Sequence, residues 1–197
     1  ISGSITLDND EIWDLHLLPT NGQTLTLSGD ISDLSGGTYS GNFIHNAAGT
    51  TILTGNNTFS GLVQVQAGGT LLVNGDSSGA TNQMTVASGA SVGGTGTWGG
   101  DVLYQSGADV AWPLGDDVSQ DGLDVLGDLQ FNASVDVALS FTNGVVDWTD
   151  TFWSQSRTWT LFDVSGTLSG YPANLSLATE NWQDSLLQSF NTARPSS

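Results

Sequence analysis

The chain has 197 residues, no cysteine and no lysine, and a formal net charge of −18 at pH 7. Without cysteine it can hold no disulfide framework, zinc–thiolate cluster or thiol nucleophile. Its two arginines cannot neutralise a phosphate backbone, so nucleic acid is excluded as a partner. No apolar run reaches the roughly 18 residues of a membrane span, so we expect no membrane insertion.

The acidic residues are concentrated in the second half of the chain. Between Leu34 and Gly100 the only acid is Asp76, whereas ten aspartates lie within residues 101–150. This contrast predicts different exposures or partners for the two halves. The richness in Gly, Thr, Ser, Asn and Asp favours a secreted protein of the bacterial cell surface. The chain opens at Ile1 without a basic-then-apolar leader, so we expect a mature or trimmed product.

The first 27 residues predict three short strands, at residues 4–7, 12–18 and 23–27. In the second of these, Trp13, Leu15 and Leu17 share one face, which predicts a strand with one buried side. The turn residues at 19–22 separate it from the third.

A repeat then becomes visible, and it is clearest in residues 49–75. Runs of β-forming residues at 50–54, 62–66 and 70–73 lie between Gly- and Asn-rich corners, which we expect to tolerate positive φ. The pattern of glycine, threonine-containing apolar strand and glycine starts at Gly22, Gly49 and Gly69, at separations of 27 and 20 residues. Such spacing is typical of one coil of a β-solenoid.

The strand pattern continues to residue 141 and then changes. Further strands are predicted at 82–86, 90–92, 101–104, 108–112, 123–125, 129–131, 135–141 and 158–164. In the last of these, Trp159, Leu161 and Asp163 fall on one side. Aromatic residues are enriched beyond residue 145, where we expect them to plug the open end of the solenoid. Residues 1–145 are therefore predicted to form the coils, and 146–197 a capping segment of the same domain with a frayed tail at 191–197.

Residues 49–75 resemble the autotransporter-associated β-strand repeat, also called the passenger-associated transport repeat. The matching elements are GTTILTG at 49–55, NTFSG at 57–61, VQV at 63–65 and AGGTLLVNG at 67–75. Residues 115–139 and 153–170 are similar to the region that follows this repeat in such proteins. The resemblance implies an all-β fold, a right-handed parallel β-helix, secreted and displayed by a bacterium. It implies no catalytic residues.

A cluster of aspartates is the strongest candidate for metal binding. Asp116, Asp117, Asp121 and Asp124 offer hard oxygen ligands at short spacing, as Ca²⁺ requires. Their order matches neither the EF-hand loop nor the glycine-rich nonapeptide, and no glutamate supplies a bidentate ligand. A weak calcium site and an acidic solvated loop both stay open, and we expect no other cofactor.

Catalysis is not favoured. The only glutamates, Glu11 and Glu180, lie at opposite ends of the chain, and close aspartate pairs arise by chance in so acidic a sequence. No nucleophile elbow accompanies His16 or His45, which we expect at the surface or at corners. The chain is predicted not to be an enzyme.

Aromatic and threonine residues suggest two binding surfaces, both disfavoured. Trp98, Tyr104 and Trp112 would form a sugar-stacking platform if exposed, but core or corner packing is the base case. The Thr-x-Thr pairs at 24/26 and 95/97 do not recur in register, which argues against an ice-binding face.

Two functions follow from this sequence. The first is a structural subunit of a surface layer, adhesive coat or filament that assembles with copies of itself through its terminal strands. Ile1, Ile5 and Leu7 would form the assembly edge, because strand begins almost at once and no lysine protects it. The alternative is a monomeric adhesin or passenger domain that binds surface glycans.

Overall fold

The computed structural model describes residues 1–7, 14–36, 40–114, 122–141 and 158–177. Within these ranges the regular structure consists of short strands, all paired in parallel. Three sheets and one two-stranded pair run along the stack. None of the described segments forms a helix that is long and apolar enough to cross a membrane.

Successive strands pass from one sheet to the next, and the first and second sheets each gain one strand per coil. The first sheet has the spatial order β2 (Leu15–Leu17), β5 (Phe43–His45), β7 (Val63–Val65), β10 (Met84–Val86), β13 (Val102–Tyr104), β16 (Leu129–Phe131) and β19 (Leu168–Ser169). The second has the order β3 (Thr24–Leu27), β6 (Thr50–Leu53), β8 (Thr70–Val73), β11 (Ser91–Gly93), β14 (Asp109–Leu114), β17 (Val135–Phe141) and β20 (Leu175–Ser176). The third contains β9 (Asp76–Ser77), β12 (Thr97–Trp98), β15 (Leu123–Val125) and β18 (Phe162–Val164), and β1 (Ile5–Leu7) pairs with β4 (Ile31–Asp33).

The predicted repeat is present, with one correction to its register. Thr50 pairs with Thr70, so the alignment of Gly49 with Gly69 is confirmed. Thr24 pairs with Thr50, a step of 26 residues, so Gln23 rather than Gly22 lies beside Gly49. The extra residue is taken up in the turn before β3, where Gly22 has a φ of 76°.

Alternate residues of most strands point into a continuous apolar core. Val63 and Val65 are buried while Gln64 is exposed, as the period-two pattern predicts. Aromatic rings stack between coils: the centroids of Phe43 and Phe59 are 5.8 Å apart. Similar contacts join Phe59 to Trp98, Tyr104 to Phe131 and Phe162, and Trp112 to Trp159.

A column of glycines marks the corner after the second sheet. A Cβ atom at Gly55 would collide with the carbonyl oxygen of Gly29, and one at Gly75 with that of Gly55. Close approach of backbones, not positive φ, therefore requires glycine at position 55. At the other predicted corner Gly68 does have a positive φ, of 84°.

Other sequence expectations are corrected or lie outside the described residues. The strand predicted at 158–164 is regular only from Phe162, and there Asp163 points outward while Phe162 and Val164 face the core. The prediction that Asp163 shares a side with Trp159 and Leu161 is wrong, because the irregular residues before Phe162 shift the alternation. Predictions for 8–13, 37–39, 115–121, 142–157 and 178–197, including most of the capping segment, fall outside the described ranges.

Candidate functional surfaces

Of the four predicted calcium ligands, the structure describes only Asp124. Asp116, Asp117 and Asp121 lie outside the described residues, whereas Asp124 is the exposed central residue of β15. Its register neighbours are Thr97 on one side and Asp163 on the other. Among the residues that the structure describes, no three His, Asp or Glu side chains converge as a metal site needs. Calcium binding by this cluster stays a prediction.

Two aspartates lie side by side on the outer side of the second sheet. Asp109 on β14 is in register with Asp136 on β17, and the Ser176 hydroxyl donates a hydrogen bond to Asp136. Partial burial, and then repulsion by Asp136, raise the pKa of Asp109 above its usual range.

Other aspartates connect the backbones of successive coils. The residues that precede the strands of the first sheet form what we call the corner ladder. In it, the Asp101 carboxylate accepts from the N–H of Asp128 at 2.9 Å, and the Asp128 carboxylate accepts from the N–H of Thr167 at 2.7 Å. Asn42 plays the same part nearer the N-terminus, accepting from the N–H of Leu62 at 3.0 Å and donating to Asp14 at 2.9 Å. The carboxylates of the corner ladder therefore serve to hold successive coils together.

The second sheet presents an uncharged outer surface in its first four strands, which we call the threonine face. Thr24, Thr50 and Thr70 are in register, and Ser91 continues their column. A neighbouring outward column contains Thr26, Ile52 and Leu72. Thr24 and Thr26 are exposed, and the other members are partly exposed.

The threonine face carries hydroxyl groups in register and no charge. Its two columns contain no ionisable residue until Asp109, five strands along the sheet. Hydroxyl groups in register on a parallel sheet repeat at about 4.8 Å. The surface is therefore a regular array of hydroxyl and apolar groups, suited to contact without charge complementarity.

Sequence reasoning missed this array. The Thr-x-Thr pair indeed does not recur, since Ile52 and Leu72 replace its second threonine, but its first threonine does recur in register. The signal that could have found it is the position of threonine at the start of each repeated strand.

The predicted assembly edge has a more specific geometry than expected. The Ile1 amino group donates to the Thr26 carbonyl at 2.7 Å, and the Ser28 N–H donates to the Ile1 carbonyl at 2.9 Å. Ile1 thus lies along β3 and is exposed, while Leu7 is buried and Ile5 partly buried against the core.

The two histidines occupy different environments. His16 is exposed, as expected, but His45 is fully buried at the end of β5, so a surface position is wrong for it. Its position in β5 puts it in register with Leu17 and Val65, which also face inward. Burial lowers its pKa.

The three candidate platform aromatics belong to the core. Trp98, Tyr104 and Trp112 are 1%, 0% and 3% exposed, which confirms core packing and removes the sugar-stacking platform. The Tyr104 hydroxyl donates to the Val92 carbonyl at 2.9 Å.

Comparison with known proteins gives one informative relative. The chain is 51% identical over 67 residues to the adhesin BmaC autotransporter of Brucella suis biovar 1 (strain 1330). The aligned region covers 34% of this chain and 2% of that adhesin. No family model matches the chain, and no solved structure matches it.

Proposed function

We propose that this chain is a non-enzymatic segment of a secreted bacterial surface adhesin. The observation that carries the proposal is the 51% identity over 67 residues to an autotransporter adhesin. The stacked parallel coils agree with it, because a solenoid is a rigid, extended carrier whose outer faces are available for contact. This favours the adhesin alternative over a filament subunit.

The proposal includes a right-handed coil and an aromatic C-terminal cap. Right-handed crossovers are strongly preferred for parallel strands. The cap is supported by the packing of Trp159 on Trp112, with ring centroids 5.3 Å apart, and of Phe162 on Tyr104 and Phe131.

Within this proposal the threonine face makes the contact with the target surface. Its first four strands carry no charge on this face, so it can approach glycans or other neutral, hydrated surfaces without bringing a carboxylate to them. The partly exposed side chains of Ile52 and Leu72 would contribute free energy by desolvation, and the hydroxyl groups would form hydrogen bonds with the target.

Adhesion of chain-coated beads tests the function. Beads carrying the folded chain should be retained on epithelial cells or immobilised glycans under flow more strongly than beads carrying the urea-unfolded chain. Equal retention of the two kinds of bead on every surface would contradict the proposal.

A second candidate is end-to-end assembly into filaments, supported by the pairing of Ile1 with β3. Those two hydrogen bonds are the ones that a further parallel strand would make, so a second copy would add in the same register by displacing Ile1. Sedimentation velocity across a hundredfold concentration range should then show growing species. A constant monomer would exclude this candidate and leave the adhesin proposal untouched.

A further inference from the structure

The dipeptide Asn-Gly occurs twice in the described part of the chain, in two different environments. Asn21-Gly22 lies in the turn before β3, whereas Asn74-Gly75 lies at the corner after β8. In this dipeptide the backbone nitrogen of the glycine readily attacks the asparagine side chain, because glycine has no side chain of its own to obstruct the approach. The chain therefore offers the same reaction in two settings.

The turn that contains Asn21 leaves this reaction unobstructed. Thr20 to Gln23 form a β-turn that is closed by a hydrogen bond from the Gln23 N–H to the Thr20 carbonyl at 2.9 Å, and Gly22 within it has a φ of 76°. Asn21 and Gly22 are both exposed, and the space around Gly22 is open. Within the described ranges, no hydrogen bond engages the Asn21 side chain or the Gly22 N–H. The Gly22 nitrogen can therefore lose its proton and reach the side chain.

The corner that contains Asn74 holds both reacting groups in place. The Gly75 N–H donates to the Leu53 carbonyl at 2.9 Å, and the Asn74 side-chain oxygen accepts from the Thr95 N–H at 3.2 Å. Gly75 is also packed against the preceding coil, since a Cβ atom there would collide with the carbonyl oxygen of Gly55. The attacking nitrogen and the side chain are thus tied to the coils on opposite sides, so the reaction requires local opening of the stack.

We propose that Asn21 is a site of spontaneous deamidation, with water as the co-reactant, and that the fold protects Asn74. The Gly22 nitrogen bonds to the Asn21 Cγ and the Cγ–Nδ2 bond breaks. The N–H proton passes through solvent to the departing amide group, which leaves as ammonia, and a cyclic succinimide remains. Water then opens the succinimide at either carbonyl, which gives aspartate or isoaspartate at position 21. Either product adds a carboxylate in the turn that leads into β3, at the end of the threonine face.

Peptide mapping by mass spectrometry tests the proposal on the full chain after incubation at mildly alkaline pH. In the folded chain, conversion at Asn21 should be at least about tenfold faster than at Asn74, because only the reaction at Asn74 requires local opening. In the urea-unfolded chain the two rates should become similar, because the same dipeptide is then exposed at both positions. Equal rates in the folded chain, or slower conversion at Asn21, would overturn the proposal.

Two glycine variants provide a second, matched test. Gly22→Ala obstructs the attack on Asn21, so conversion there should slow by at least about tenfold. Gly36 has a φ of 86° and equally open surroundings, so Gly36→Ala introduces the same kind of backbone strain away from Asn21 and should leave its conversion unchanged. Conversion in Gly22→Ala at the rate of the unaltered chain would contradict attack by the Gly22 nitrogen.

Discussion

The side-chain oxygen of Asn57 accepts a hydrogen bond from the backbone N–H of Ile31 at 3.0 Å, inside the core. The amide group of the same side chain donates to the Ser77 hydroxyl at 2.9 Å, so one asparagine joins β4 to β9 across a coil that has no strand between them. The Asn57 backbone N–H also donates to the Asp76 carbonyl at 2.8 Å. Asn57 therefore completes the third side of the solenoid.

Replacing Asn57 should be costly. Asn57→Leu leaves the buried N–H of Ile31 without its acceptor, so we expect a loss of about 2 kcal/mol in the free energy of unfolding. The exposed neighbour provides the control, since Asn56→Leu keeps the backbone N–H that donates to Asp30. Urea denaturation measures both, and equal losses would show that the buried bonds of Asn57 contribute little.

The glycine column should be intolerant of a single methyl group. Gly55→Ala places a Cβ against the carbonyl oxygen of Gly29, so the two coils must move apart, and we expect a loss of about 2–3 kcal/mol. Gly3 heads the same column but has open space around it, and Gly3→Ala should change stability by less than about 0.5 kcal/mol. Thermal unfolding of the two variants checks the difference; a tolerant Gly55→Ala would mean that the coils are more widely spaced.

Mild acid should destabilise the fold through His45. Its folded pKa is lowered by burial, so below the unfolded pKa of about 6.5 the unfolded chain binds a proton that the folded chain excludes. Stability is then lost as pH falls from about 6.5 toward the folded pKa, with a slope of at most about 1.4 kcal/mol per pH unit. His45→Leu should remove this slope between pH 7 and 5.5, and the exposed His16→Gln should keep it. An unchanged slope in His45→Leu would assign the effect to other groups.

The stacked aspartates of the second sheet give the opposite dependence. The raised pKa of Asp109 means that its ionised form is disfavoured in the fold, a cost that is relieved as pH falls through that pKa. Asp136→Asn removes the repulsion, so the pKa of Asp109 should fall, though burial keeps it above its usual range. NMR titration of the Asp109 carboxyl measures the shift. The gain in stability at pH 7 should stay below about 1 kcal/mol and shrink in high salt, because the site is partly exposed. A pKa that does not move would show that burial alone sets it.

Strands with strict alternation could be predicted from the sequence to within a residue or two. Residues 123–125, 129–131 and 135–141 match β15, β16 and β17, because each carries buried apolar side chains at every second position. The short strands β4, β5, β9 and β12 are not among the predicted strands. They hold two or three residues each. In β9 and β12 a single polar outward residue precedes the buried Ser77 or Trp98, and two residues are too few to show a period-two alternation.

Features that depend on the neighbouring coil could not be predicted from local sequence. The threonine face exists only because loops of different length bring Thr24, Thr50 and Thr70 into one register. His45 follows the apolar pair Phe43 and Ile44, and nothing in that run indicates that Leu17 and Val65 will enclose it. Register between coils is set by loops as well as strands, and it decides which side chains form a surface.

Two lysine variants of the chain, compared on beads under flow, test contact through the threonine face. Leu72→Lys places a charge on the threonine face, and Thr85→Lys places the same charge on a partly exposed outward position of the first sheet. We predict that Leu72→Lys lowers retention on the target surface at least tenfold, while Thr85→Lys retains beads as the unaltered chain does. Equal retention by both variants, with both folded, would contradict contact through the threonine face.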